Sequence, residues 1–373
     1  MSTTVLGIIR EQRAVSVSDA LTKMAANLLE DWTTSDVDDA YRFTLSLSLS
    51  LIVDVANNNT SKKMLKALEP SHVHEVKEHS KSQSNTIKEL PAFLSLIFKE
   101  TIELLELEGE HPALRYLSNA ASKQLETEKD NINLQVIDIL TYVIRNVKKW
   151  GNEKGATEVD WTHRLVSLLD ILLRDTDLSV RIMATKVVRQ ANEHAFGDKE
   201  KISSIVGRKI DVIMEHDEFE LSASEWKSAG AGDSLVDKQH NKNLRVNACV
   251  LLQILRLPFD GFNNDISILS MEWTGAEGKL VSMKRYNNYF VGTTIGDMYL
   301  PLTLDDISDF HKTLTLLLHW KNEHLKLRKV VRGPLLRQRR FERSRSNYTS
   351  SIATSANTNP DIFFTPTQDR SSN

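Results

Sequence analysis

The sequence is poor in cysteine, which limits how the fold can be stabilised. Its 373 residues include one cysteine, Cys249, so no intrachain disulfide can form. The residues around it, RVNACVLLQILRL, are apolar with helical spacing, and they predict a buried structural thiol rather than a nucleophile. A single cysteine also fits a reducing compartment. The sequence therefore excludes a disulfide-based scaffold.

Long hydrophobic runs are also missing. The longest candidate, Leu45 to Ala56, is shorter than the ~20 residues that span a bilayer, and it contains serines and Asp54. Near the N-terminus, Arg10 and Glu11 interrupt a short apolar run, so the hydrophobic region of a signal peptide is absent. We predict no membrane contact and an intracellular location, cytoplasmic or nuclear.

Catalytic signatures form a third absence. The sequence has no GxGxxG, no P-loop, no GxSxG and no His-Glu-x-x-His pattern. The histidines of SHVHEVKEH lack metal-ligand spacing and have no cysteine nearby, so we interpret them as part of a solvated loop. We predict a non-enzymatic protein that uses no cofactor and no metal.

The charge, in contrast, is strongly segregated. The whole chain has a formal net charge of −3. Residues 321–345 hold roughly ten basic and two acidic residues, or about +8, so the remainder carries about −11. Such segregation favours electrostatic recognition by one segment of the chain.

Apolar residues at helical spacing dominate the first two thirds of the chain. The run LVSLLDILLRDTDLSVRIMATKVVRQA pairs two apolar segments across a short turn, with Asp177 placed to cap the second. Val180, Arg181 and Ala184 stand where helical repeats carry Val, Arg and a small residue. Residues 161–196 thus resemble a HEAT or armadillo repeat, which implies a short α-solenoid. A plain helical bundle explains the same periodicity.

The run TLSLSLSLIVDV has two interpretations. Its leucines alternate as in a strand, but leucine and the flanking residues favour helix, so we predict a buried helix. Further along, residues 263–302 contain short β-prone runs separated by Gly and Asn-Asn turns, which predict three or four antiparallel strands. A long helix follows, with Thr303, Asp305 and Asp306 at its start.

This strand–helix module resembles the single-strand-binding coactivator fold. The resemblance implies a sheet that faces nucleic acid through Lys284, Arg285, Tyr286 and Tyr289. The alternative is a small sheet that caps the helical body, and we favour it.

The predicted fold class is mainly α, with a multi-helical body, a small α+β module and a disordered C-terminal tail. The helical body is a bundle or a short α-solenoid. The predicted regions are an N-terminal helical region (1–56), a polar loop or connection (57–90), the helical body (91–262), an antiparallel sheet plus long helix (263–325), a basic segment (326–345) and the tail (346–373).

The basic segment is the main candidate site. Arginine binds phosphate bidentately, and Phe341 within the run could stack on a base. We expect Gly333 and Pro334 to break any helix and to separate two basic clusters. The candidate nucleic-acid-binding residues are Lys326, Arg328, Lys329, Arg332, Arg337, Arg339, Arg340, Arg343 and Arg345.

Two functions fit these features. In the first, the helical body makes protein contacts or self-associates and the basic arm binds RNA or DNA; one form is a nucleoprotein-like or viral structural protein. In the second, the chain is a helical-repeat adaptor whose basic segment is a localisation signal. Its tail would then dock a protein partner through Ile362, Phe363 and Phe364.

Overall fold

A computed structural model describes most of the chain. The described residues are 9, 11, 13–34, 38–56, 58–84, 87–127, 131–152, 155–187, 209–261 and 265–346. Within them, no helix combines the length and the hydrophobicity that crossing a membrane requires.

The described residues form ten α-helices and seven strands. The helices are α1 (Val17–Thr34), α2 (Asp39–Leu49), α3 (Asn58–Ala67), α4 (Pro70–Ser84), α5 (Ala92–Leu107), α6 (Glu110–Thr127), α7 (Ile132–Asn152), α8 (Glu158–Leu173), α9 (Asp233–Leu255) and α10 (Phe310–Ser346). The strands are β1 (Ile52–Asp54), β2 (Leu178–Ala184), β3 (Lys209–His216), β4 (Phe219–Lys227), β5 (Ser267–Thr274), β6 (Glu277–Tyr286) and β7 (Tyr289–Tyr299). A 3₁₀ turn, Asp305–Asp309, precedes α10.

The helical prediction holds for α1 and for the run from α5 to α8. Pro91 stands at the N-cap of α5 and Gly109, at φ +89°, follows its last turn. Thr157 and Asp160 form a reciprocal capping box at the start of α8. Consecutive helices of this run pack on one another and bury their apolar faces. Cap residues and 3.6-residue periodicity are local signals, which is why the sequence predicts these helices well.

All seven strands belong to one mixed sheet, in the order β1-β7-β6-β5-β4-β3-β2. The β1–β7 and β4–β5 pairs are parallel and the other pairs are antiparallel. Helix α9 covers one face, where His240 contacts Glu272 of β5. Helix α10 covers the other face, where His324 contacts Ser222 of β4. The sheet is thus the middle layer of a helix–sheet–helix arrangement.

The mainly α prediction is therefore confirmed only for its helical content. Because β4 pairs with β5, the boundary predicted at residue 262 falls inside the sheet. Strand β1, from the predicted N-terminal region, pairs with β7. One hydrophobic core runs from Val17 to Leu335 and joins these parts.

Strands β2 and β3 lie within the predicted helical body. The second helix of the HEAT-like pair is β2, and the run KIDVIMEH is β3. The described part of residues 161–196 therefore pairs a helix with a strand, and Asp177 contacts Arg328 instead of capping a helix. Val212, Ile213 and Met214 are all buried. A strand covered on both faces is apolar throughout, so its sequence does not distinguish it from a buried helix.

The region predicted as a polar loop or connection, and a second polar stretch, are also regular structure. The 57–90 connection contains α3 and α4, which are held by the buried side chains of Met64, Leu68 and Val76. The stretch 222–243 contains most of β4 and the start of α9. Their polar residues find partners in distant parts of the chain, a compensation that local sequence does not reveal.

The run TLSLSLSLIVDV contains part of a helix and a short strand. Its first part belongs to α2, and Leu51, at φ 54°, marks the change of direction before β1. Hence the prediction of a single buried helix is wrong for Ile52–Asp54. The buried Cys249 matches the expected structural thiol.

Candidate polyanion-binding surface

The basic segment forms the second half of α10, which is one continuous helix from Phe310 to Ser346. The helix passes through Pro334, so the predicted break and the two separate clusters are wrong. Pro334 removes one backbone hydrogen bond, but Leu327, Val331 and Leu335 around it pack into the core. This packing offsets the local cost of the proline. The basic segment is therefore a docked helix and not a flexible arm.

Buried polar contacts hold the first half of α10 against the body. Lys321 Nζ lies 2.7 Å from both Gln135 Oε1 and Asp175 Oδ1 and is almost fully buried. His324 Nε2 lies 2.8 Å from Ser222 Oγ, and its Nδ1 lies 2.8 Å from the Trp320 carbonyl oxygen. Nδ1 therefore donates to the carbonyl oxygen and Nε2 accepts from the serine. These contacts fix the direction in which the helix leaves the sheet.

Three of the predicted binding arginines act as anchors. Arg328 forms an ion pair with Asp177. Arg337 Nη1 lies 2.9 Å from Asp260 Oδ2, and the same guanidinium donates to the Pro258 carbonyl oxygen. Arg339 donates to the backbone carbonyl oxygen of Asp217. We call Arg328, Arg337 and Arg339 the anchored arginines, because body groups already engage their guanidinium groups.

Four other cations share one solvent-exposed line on α10. Lys329, Arg332, Arg340 and Arg343 are all exposed. At 3.6 residues per turn they fall within about 80° of the helix circumference and extend over about 21 Å of its length. Within the described part of the chain, Lys329, Arg332 and Arg340 form no ion pair. We call these four residues the basic stripe.

The remaining predicted residues have different positions. Lys326 pairs with Glu323, with Nζ 2.6 Å from Oε1. Arg345 lies in the last turn of α10, and its side chain is outside the described part. Phe341 is 62% exposed, as base stacking would require. The proposed docking residues Ile362, Phe363 and Phe364 lie outside the described residues.

The two tyrosines of the coactivator-like sheet pack against α4. Tyr286 stacks on His79 of α4, with ring centroids 3.7 Å apart. Tyr289 is buried, and its hydroxyl donates to Glu75 Oε1 at 2.8 Å. Lys284 Nζ lies 2.6 Å from Asp265 Oδ1. These aromatic rings therefore join α4 to the sheet and do not present a base-stacking platform.

The buried contact between His324 and Ser222 predicts a pH-dependent stability. Burial lowers the pKa of His324 to about 4. The contribution of neutral His324 to the free energy of unfolding is present above pH ~6.5 and is lost as the pH falls toward 4. Over this range the unfolded chain binds a proton at His324 and the folded chain does not. Between pH 7.5 and 5 this loss is about 2 kcal/mol.

Urea unfolding of the wild type and of His324→Gln at both pH values measures this contribution. We expect the variant to lose about 2 kcal/mol less than the wild type over this interval. His111→Gln, which removes an exposed imidazole, is the control and should follow the wild type. Equal pH dependence in His324→Gln and the wild type would show that His324 is not held neutral in the fold.

Comparison with protein-family models, curated proteins and solved structures finds no match to this chain. The structural class of this protein is therefore defined from its fold and its basic surface alone. It is an α/β protein with a seven-stranded mixed sheet between helical layers and a docked basic C-terminal helix.

Proposed function

We propose that this protein is a non-enzymatic scaffold that binds the phosphate backbone of nucleic acid through the basic stripe. The observation that carries the proposal is the position of Lys329, Arg332, Arg340 and Arg343 on one exposed line of a rigid helix. Their spread of about 21 Å matches several consecutive phosphates of one strand. The helix is ordered before binding, so these side chains pay little backbone entropy when they meet a polyanion.

The anchored arginines and the basic stripe have different roles in α10, and this difference supports the proposed function. The anchored arginines neutralise Asp177, Asp217 and Asp260, which lie beside the helix and would otherwise repel phosphate. The opposite side of the helix is buried through Val331 and Leu335. The basic stripe is thus left as the outward face.

The second part of the proposal is that the helical part of the protein makes contacts with other proteins. Helix α5 exposes Phe93, Leu96 and Leu107, which are 39%, 51% and 84% accessible. Exposed large apolar side chains on one helix favour association with a partner or with a second copy. A cytoplasmic or nuclear location would fit both parts of this role.

Binding of labelled single-stranded RNA and double-stranded DNA to the full chain across a salt series tests the proposal. With four phosphate contacts, the association constant should fall about 50-fold for single strands and about 150-fold for duplex between about 50 and 200 mM salt. Fluorescence anisotropy measures both slopes, and each slope gives the number of phosphates contacted on that nucleic acid.

The full chain is needed because a truncation before the basic stripe would remove Val331 and Leu335 from the core. Absence of binding at the lowest salt, or binding that does not respond to salt, would overturn the proposal. The localisation-signal and partner-docking hypothesis would then explain the basic segment.

A further inference from the structure

The buried face of α9 carries a polar network that the basic stripe does not involve. His240 lies between two carboxylates, with Nε2 3.1 Å from Asp54 Oδ2 and Nδ1 2.7 Å from Glu272 Oε2. Asn243 Nδ2 donates to Glu272 Oε1 at 2.8 Å. Asp54 is fully buried and His240 is almost fully buried. Because burying such a polar network costs free energy, its position next to a cavity indicates a ligand-binding site there.

A cleft of about 560 Å³ opens beside this network, between the N-terminal half of α9 and the sheet. The register of strands β5, β6 and β7 determines which side chains form the floor of the cleft. Glu272 pairs with Lys279, and Lys279 pairs with Asp297, so the three side chains form one row on the α9 face. Glu277 lies in the next row, opposite Tyr299. The cleft volume is that of a small-molecule site.

The cleft is lined by more negative than positive charge. Asp233, Glu272, Glu277 and Asp297 line it, together with the cations Lys279 and His240. Burial alone would lower the pKa of His240, but the charges of Glu272 and Asp54 outweigh it and raise this pKa well above its usual value. The pKa of Glu272 stays below its usual value because His240 offsets the cost of burial. Even with His240 protonated, carboxylates outnumber cations.

Gln239 supplies an independent sign of a ligand. It is 4% exposed and lines the cleft. Its Nε2 donates to the Trp273 carbonyl oxygen at 3.3 Å, whereas its Oε1 has no hydrogen-bond donor among the described residues. A buried amide oxygen without a donor costs free energy, and a ligand N–H would remove that cost.

We propose that this cleft binds a small aliphatic polyamine. One ammonium group would donate to Gln239 Oε1 and contact Glu272, and a second would lie near the rim carboxylates Glu277 and Asp297. The walls include Val236 and Met298, against which the methylene groups of the ligand would pack. An elongated cation with several N–H donors and an apolar chain satisfies the charge, the unpaired acceptor and the volume together.

Isothermal titration of the full-length protein with spermidine tests this proposal. We expect one site with a dissociation constant on the order of 100 µM or tighter. Glu277→Gln/Asp297→Asn, which alters exposed rim residues and should leave the fold intact, is expected to weaken binding about tenfold. Gln239→Leu, which removes the unpaired acceptor, is expected to weaken it at least tenfold. Circular dichroism of each variant confirms that it is folded.

The control is Glu103→Gln/Glu106→Gln, which removes two exposed carboxylates of α5 far along the chain from the cleft. It should bind spermidine like the wild type. Equal weakening in this control, or competition by magnesium chloride at the same charge concentration, would show only counterion attraction and overturn the proposal. Undiminished binding in folded Gln239→Leu and in the rim variant would also overturn it.

Discussion

Replacing Lys329, Arg332, Arg340 and Arg343 by glutamine is expected to weaken nucleic-acid binding by about 10³-fold at 0.1 M salt. Each phosphate contact releases counterions, and at this salt concentration the release contributes a factor of about 8 per contact on duplex and about 5 on a single strand. Because the four side chains are exposed, the substitution should leave the fold unchanged. Fluorescence anisotropy with labelled single-stranded RNA and duplex DNA measures the loss.

A matched control separates the basic stripe from net charge. The control replaces four exposed lysines elsewhere, changing the net charge by the same amount: Lys62, Lys66, Lys77 and Lys88. This control should keep most of its affinity. If both variants lose affinity equally, the attraction belongs to the whole molecule and the basic stripe is not a site.

The anchored arginines provide a contrasting variant. Replacing Arg328, Arg337 and Arg339 by glutamine removes the same kind of charge from the same helix, but from groups that already contact the body. We expect a loss of stability and a smaller change in affinity than for the basic stripe. A loss of affinity larger than that of the basic-stripe variant, in a folded protein, would contradict this division of labour.

His240→Leu is expected to destabilise the fold by about 3–5 kcal/mol, since it leaves Asp54 and Glu272 as buried carboxylates without their shared counter-charge. Urea unfolding near pH 7 measures the change. The raised pKa of His240 sets the pH window: its contribution is present below pH ~6.5 and is lost as the pH rises through the higher folded value. The gap between wild type and variant should therefore narrow at alkaline pH.

A second substitution distinguishes lost charge pairing from lost packing. Adding Glu272→Gln to His240→Leu removes one of the uncompensated charges and should recover part of the stability. His111→Leu, at an exposed position, is the control and should have little effect. Failure of Glu272→Gln to restore any stability would attribute the effect of His240→Leu to packing alone.

The candidate sites differ in how much of them the sequence could predict. The basic segment is visible in composition, but the split between basic stripe and anchored arginines depends on where Asp177, Asp217 and Asp260 come to lie. The polyamine cleft has no local signal. Its residues come from α9 and from the consecutive strands β5 to β7, and only the strand register and the packing of α9 on these strands bring their side chains together.

The sequence by itself determined α5 to α8, the strands β5 to β7 and the location of the positive charge, because caps, turns and periodicity act over a few residues. Tertiary structure alone decided the rest. Strand β4 carries Glu220, Ser222 and Glu225, which are buried and become tolerable only through partners supplied by other elements. Likewise, core contacts of α10 carry the helix through Pro334. At these positions, burial and contacts with residues distant in sequence outweigh the local preference for secondary structure. No local sequence pattern indicates these contacts.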